Sequence, residues 1–142
     1  MEEKKITLKL ISRQYDGEEQ SEVELFSEGM LSIADGGYQI SYKETDATGF
    51  SGATTKLTVH SQDKVTMERT GSVNSQLILE RGKKHHCHYG TPYGEFMVGV
   101  TTSSINSTIG ENGGTLDFKY VIDINSSYVG DYEINVDVRA DS

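Results

Sequence analysis

The sequence predicts an all-β protein: one domain over residues 1–142, folded as an up-and-down antiparallel β-barrel of eight to ten strands. Three observations predict it. Apolar residues recur with period two along most of the chain. Turn-forming residues interrupt that alternation at intervals of about ten positions. No segment carries a helical apolar stripe. A run of short hairpins, each with one apolar face, buries those faces by closing into a barrel or folding into a sandwich. Short, even connections favour the meander, and closure removes sheet edges.

The elements follow in order. Ile6, Leu8 and Leu10 share a face of the first strand, and Asp16-Gly17 supplies a type I′ hairpin turn. Val23, Leu25, Leu31 and Ile33 share a parity in a long second strand, where Gly29 suggests a bulge or sharp bend. Asp35-Gly36-Gly37 closes that hairpin. Tyr38, Ile40 and Tyr42 mark the third strand, and TDATGFSGA (45–53) reads as a longer loop. Leu57 and Val59 follow, then a tight turn at Gln62-Asp63. Val65, Met67 and Arg69 share the next face. Leu77 and Leu79 precede a turn at Arg81-Gly82, and Phe96, Val98 and Val100 mark a later strand. Asn112-Gly113 is a strong hairpin signal. Leu116, Phe118, Tyr120, Ile122 and Ile124 then alternate with polar residues, as do Ile134, Val136 and Val138.

Composition limits function. Thirteen Lys and Arg against 22 Asp and Glu give a net charge of −9, which disfavours nucleic acid and anionic membranes as partners. One cysteine, Cys87, excludes an internal disulfide and fits a reducing compartment. The N-terminus is charged and the apolar runs are short, so the expectation is a cytoplasmic protein, monomeric or homodimeric.

The stretch KKHHCHYGTPYGEF (83–96) concentrates three of the four histidines, the cysteine and the only proline. In an extended strand His86 and His88 share one face, and His85, Cys87 and Tyr89 the other. One reading makes His86 and His88 a metal pair; zinc or copper would need further ligands, with only His60 left among histidines. The bland reading turns Cys87 and Tyr89 to the core and the two histidines to solvent, with no metal or other cofactor expected. Pro92 then makes the corner between two strands. No P-loop, Cys-x-x-Cys, HExxH or nucleophile elbow is present, and no catalytic set is visible.

Arg69 stands out because parity turns a charge toward the interior or its mouth. It either pairs internally, with Glu44 on the continued Tyr38–Ile40–Tyr42 face, or anchors an anionic ligand. The candidate ligand-binding set is Arg69, Tyr42, Glu44, Tyr89 and Tyr120. Tyr38 belongs to the same aromatic group, which a core reading also explains.

The segments GGYQISYKETDATG (36–49), MERTG (67–71), YGTPYG (89–94) and LDFKYVIDIN (116–125) resemble the YwiB-like family of small bacterial proteins. That resemblance implies a lipocalin-like, or calycin, barrel, no established activity and no catalytic residues to transfer. Two functions follow as expectations. One is a binding module for a small apolar or anionic ligand inside the barrel. The other is a structural or interaction protein whose barrel is filled by its own side chains and which acts through its outer surface.

Overall fold

A computed structural model describes residues 3–34, 37–45, 51–91 and 94–140. Ten strands form one closed antiparallel barrel. They are β1 (Glu3–Asp16), β2 (Glu19–Ala34), β3 (Gly37–Lys43), β4 (Ala53–Ser61), β5 (Lys64–Gly71), β6 (Ser75–Glu80), β7 (Lys84–Thr91), β8 (Gly94–Ser107), β9 (Gly113–Ile124) and β10 (Ser127–Ala140). Each strand pairs with its sequence neighbours, and β1 closes on β10 over the register Ile6↔Ala140 to Tyr15↔Asp131. The up-and-down order expected from short hairpins is therefore the observed one. Among the described residues no helix is long and apolar enough to cross a membrane.

Alternation decides which way each strand faces. Ile6, Leu8 and Leu10 of β1, Leu57 and Val59 of β4, Leu77 and Leu79 of β6 and Leu116 and Phe118 of β9 all point inward and are buried. With Ile40, Val65, Met67, Val98, Val100, Val136 and Val138 they pack one continuous core. An eight-stranded barrel is just filled by side chains. Ten strands enclose a wider interior, and aliphatic side chains occupy only part of its length.

Local geometry corrects several sequence readings. The first hairpin turns on Gly17-Glu18, because Asp16 still pairs with Glu19. Only Gly17 has positive φ there, at 62°, which suits a type II′ turn rather than the expected type I′. Asn125 and Ser126, with φ of 51° and 68°, instead carry the two positive-φ residues of the β9–β10 turn. Gly29 is not a bulge: β2 pairs without a register shift with β1 and with β3. Register shifts occur at Val59/Ser61, Thr102/Ser104 and Tyr128/Gly130. Gly29 instead marks where β2 meets β3, opposite Tyr42, and a Cβ there would run into the Ser41 carbonyl oxygen. Gly29→Ala is expected to destabilise the barrel by about 1–3 kcal/mol, since backbone has to move to admit one methyl group. A urea melt checks this; an unchanged midpoint would remove the packing argument. The expected turn at Asp35-Gly36, the Pro92 corner and most of the 45–53 loop lie outside the described residues.

Candidate functional site: a polar cavity at one end of the barrel

The inward-facing residues change character toward one end. Along β1 they run Leu8, Leu10, Ser12, Gln14, and along β2, read backward, Leu25, Val23, Ser21. On β5 Met67 gives way to Arg69, on β6 Leu77 to Ser75, and on β9 Phe118 to Tyr120. Parity holds while hydrophobicity does not, so this end presents polar groups to the interior.

Ladder register gathers those groups into two rows. Tyr42 lies opposite Thr55, Thr55 opposite Arg69, and Arg69 opposite Ser75, across β3 to β6. Ser21 lies opposite Gln14, Gln14 opposite Tyr132, Tyr132 opposite Tyr120 and Tyr120 opposite Thr102, across β2, β1, β10, β9 and β8. Between the rows is a cavity of about 220 Å³. Its polar lining includes Tyr42, Glu44, Arg69, Tyr89, Tyr120 and Tyr132, with Ser12, Gln14 and Ser21; Leu10, Val23 and Ile134 supply its apolar wall. All five sequence-predicted ligand residues thus line one cavity. Sequence reasoning missed Ser12, Gln14, Ser21 and Tyr132. Continued parity was the signal that could have found them.

The charges are arranged to compensate. Arg69 Nε lies 3.6 Å from Glu44 Oε1, and both side chains are almost fully buried. Thr55 Oγ1 donates to the same Glu44 oxygen at 2.7 Å. The Glu44 backbone N–H extends the β3–β4 ladder by donating to the Ala53 carbonyl, which fixes where the carboxylate stands. Of the two accounts of Arg69, the internal pair with Glu44 is present in the structure.

Three of the cavity phenols, Tyr42, Tyr120 and Tyr132, are held neutral. Burial, followed by the Glu44 charge, pushes Tyr42 far above the usual phenol range, with Arg69 opposing. Burial does the same to Tyr120. Tyr132, less buried, is pushed up to about 12, again chiefly by burial. Tyr120 and Tyr132 stack across the β9–β10 ladder, centroids 5.2 Å apart and planes 12° from parallel. These phenols stay available as hydrogen-bond donors and acceptors throughout the physiological range.

Apart from Tyr89, the described residues of the 83–96 stretch stand apart from this site. His86 and His88 are exposed on the outer face of β7, while Cys87 is buried and Tyr89 packs inward. His85 Nε2 contacts Glu80 at 2.9 Å, and His88 Nε2 lies 3.4 Å from Glu95. Among the described residues no cluster of three His, Cys, Asp or Glu side chains could hold a metal ion. Burial raises the Cys87 thiol, against the effect of the Ile78 N–H that it accepts. Among the described residues no histidine or cysteine lines the cavity. Its chemistry is that of hydrogen bonding beside a compensated ion pair.

Comparison with known proteins agrees with the architecture. A domain of unknown function, DUF1934, matches residues 6–136. No curated protein matches the chain. The crystal structure of the ywiB protein from Bacillus subtilis superposes with a TM-score of 0.85 at 21% identity, covering 99% of this chain and 94% of that one. At that identity the likeness speaks for the barrel alone.

Proposed function

We propose, for a chain that belongs to the DUF1934 family of domains of unknown function, that the polar end of the barrel binds a small ligand carrying no net charge and several hydrogen-bonding groups. One observation carries the reading: the inward parity of several strands turns polar at the same end and leaves a cavity there. A protein using that end only to fill itself would gain more from aliphatic residues, because each buried polar group has to find a partner. At about 220 Å³ the cavity lies below the ~300–1,000 Å³ typical of sites for drug-sized molecules, so the ligand is small.

The Glu44–Arg69 pair narrows the class further. An isolated Arg69 would favour a carboxylate or phosphate; the adjacent Glu44 offsets that attraction and repels an anion. A purely apolar ligand would strand Ser12, Gln14, Ser21 and the phenols without partners. Neutral polyols and zwitterions of amino-acid size suit the lining better than the apolar or anionic ligands first expected.

A thermal-shift screen tests this with neutral polyols, zwitterionic amino acids and medium-chain fatty acids. A ligand from the first two classes at about 100 times its dissociation constant should stabilise the fold by ~2.7 kcal/mol. Ser12→Leu, which puts an aliphatic side chain into the cavity, should abolish that shift while leaving the fold intact. Stabilisation by fatty acids alone would restore the anionic reading. The alternative, an interaction protein acting through its outer surface, is favoured by two apolar side chains that point outward. Phe26 is 69% exposed and Met97 62%. A silent screen, with Ser12→Leu more stable than wild type, would favour that alternative.

A further inference from the structure

The barrel is not equally closed all the way round. β5 and β6 share a ladder of six residue pairs, and β7 and β8 a ladder of eight. Between β6 and β7 one pair is formed, Gln76↔His88. Toward the β6–β7 turn the two strands part. The Ile78 N–H, which in a regular ladder would bond a β7 carbonyl, donates to Cys87 Sγ at 3.3 Å. A thiol sulfur is a weak acceptor, so this contact holds the strands less firmly than a backbone bond. The side-chain contact of His85 Nε2 with Glu80, 2.9 Å, spans the parted end at partly exposed positions, where such a contact adds little. Beyond it the chain turns away: the Gly82 N–H donates to Thr102 of β8 at 2.9 Å, and Lys83 folds back on Glu80.

One end of this seam borders the polar cavity at Tyr89, which lines it from β7. Ser75, opposite Arg69, begins β6, and Tyr89 lies one residue past His88 on β7. Arg69 and Tyr89 therefore face the cavity from either side of the seam, and near that level Gln76↔His88 is the one ladder pair that joins β6 to β7. At the cavity end Gly90 packs against the Asn74 backbone so closely that a Cβ would collide with the Asn74 carbonyl, so this approach depends on glycine.

We propose that the barrel wall opens locally along the β6–β7 seam, and that this opening is the passage by which small polar molecules reach the cavity between Arg69 and Tyr89. The passage rests on the cavity-binding reading; the opening does not. Local openings draw on regions where neighbouring strands are weakly paired, and this seam has one ladder pair where every other strand junction has at least six among the described residues.

Cys87 lies at the seam and is the only cysteine, so a thiol reagent reports on this position alone. With dithionitrobenzoate under native conditions, Cys87 should react at least about tenfold faster than the protein unfolds globally, at a rate insensitive to low urea. Amide exchange over residues 77–80 and 84–88 should likewise outpace that of β1 and β10. The passage is tested in Gln76→Cys/His88→Cys/Cys87→Ala, whose introduced cysteines lie directly opposite each other. Forming the disulfide should slow exchange along the seam and reduce quenching of the cavity tyrosines by acrylamide, a small neutral polar probe. Dithiothreitol should reverse both effects. Cys87 labelling only at the global unfolding rate, or seam exchange as slow as in β1, would overturn the opening. Unchanged acrylamide quenching in the locked barrel would overturn the passage. None of these readouts uses a bound ligand, so their failure is distinct from failure of the ligand screen.

Discussion

Replacing Arg69 with Met is expected to destabilise the barrel by about 3–5 kcal/mol, a large part of the ~5–15 kcal/mol that holds an ordinary domain together. Methionine keeps most of the stem volume, so the loss comes from charge rather than from packing. Glu44, whose side chain is 1% exposed, would be left as a buried carboxylate supported by Thr55 and Tyr42 but without its cation. Removing one partner of a buried ion pair is costly for that reason, whereas removing both is often nearly neutral. The double variant Arg69→Met/Glu44→Gln should therefore recover most of the loss, giving a coupling energy well above the ~0.5 kcal/mol seen for independent sites. Urea unfolding of the wild type, both single variants and the double variant measures it. If Arg69→Met stays within about 1 kcal/mol of wild type, Glu44 is being hydrated through the cavity, and Arg69 serves something other than the fold.

Alkaline pH should unfold the protein steeply. Tyr42 and Tyr120 have folded-state values raised well above the unfolded phenol value near 10. A raised value means that the folded state holds its proton more tightly than the unfolded chain does. The associated stability is fully present below about pH 10 and is lost as pH climbs from there toward the folded values. Each such phenol contributes a slope of up to ~1.4 kcal/mol per pH unit, so the two together approach ~3 kcal/mol per unit. Tyr132, raised to about 12 and less buried, adds a smaller share that ends near that pH. Absorbance of the phenolate band and far-ultraviolet circular dichroism, recorded on the same samples, test this. The late-titrating phenols should ionise only as the β signal collapses, and Tyr42→Phe should move the transition to higher pH. Ionisation of all tyrosines near pH 10 with the β signal intact would contradict it.

Much of this architecture is legible in the sequence because period-two alternation survives in almost every strand. Ile6, Leu8 and Leu10 place β1, and Leu116 to Ile124 place β9, without any reference to partners. The same parity turned Arg69, Tyr42, Glu44, Tyr89 and Tyr120 inward, where the structure places them around one cavity. What escaped were Ser12, Gln14, Ser21 and Tyr132, because a search for apolar alternation stops at the point where inward residues become polar. Facing is a property of one strand, but neighbourhood belongs to the closed sheet. That Gln14 lies beside Tyr132 depends on β1 meeting β10, a register that no local pattern encodes. The first turn falls one residue later than the Asp16-Gly17 pair suggests, since Asp16-Gly17 and Gly17-Glu18 both offer glycine and only the pairing of Asp16 with Glu19 decides between them.

The pairing of β1 with β10 also shapes how the molecule is made. Nine of the ten strand junctions join neighbours in sequence and can form while the chain is still growing; the tenth joins the first strand to the last. During synthesis β1 can pair with β2, but its other edge waits for every remaining strand. The extra chain entropy of this closure is modest, because it grows only with the logarithm of loop length. The greater hazard is the waiting time, during which an open edge invites pairing with another nascent chain. β1 carries Lys4, Lys5, Lys9 and Arg13, the kind of charge that discourages such pairing. These basic residues on an acidic protein thus guard the one strand whose second partner arrives last.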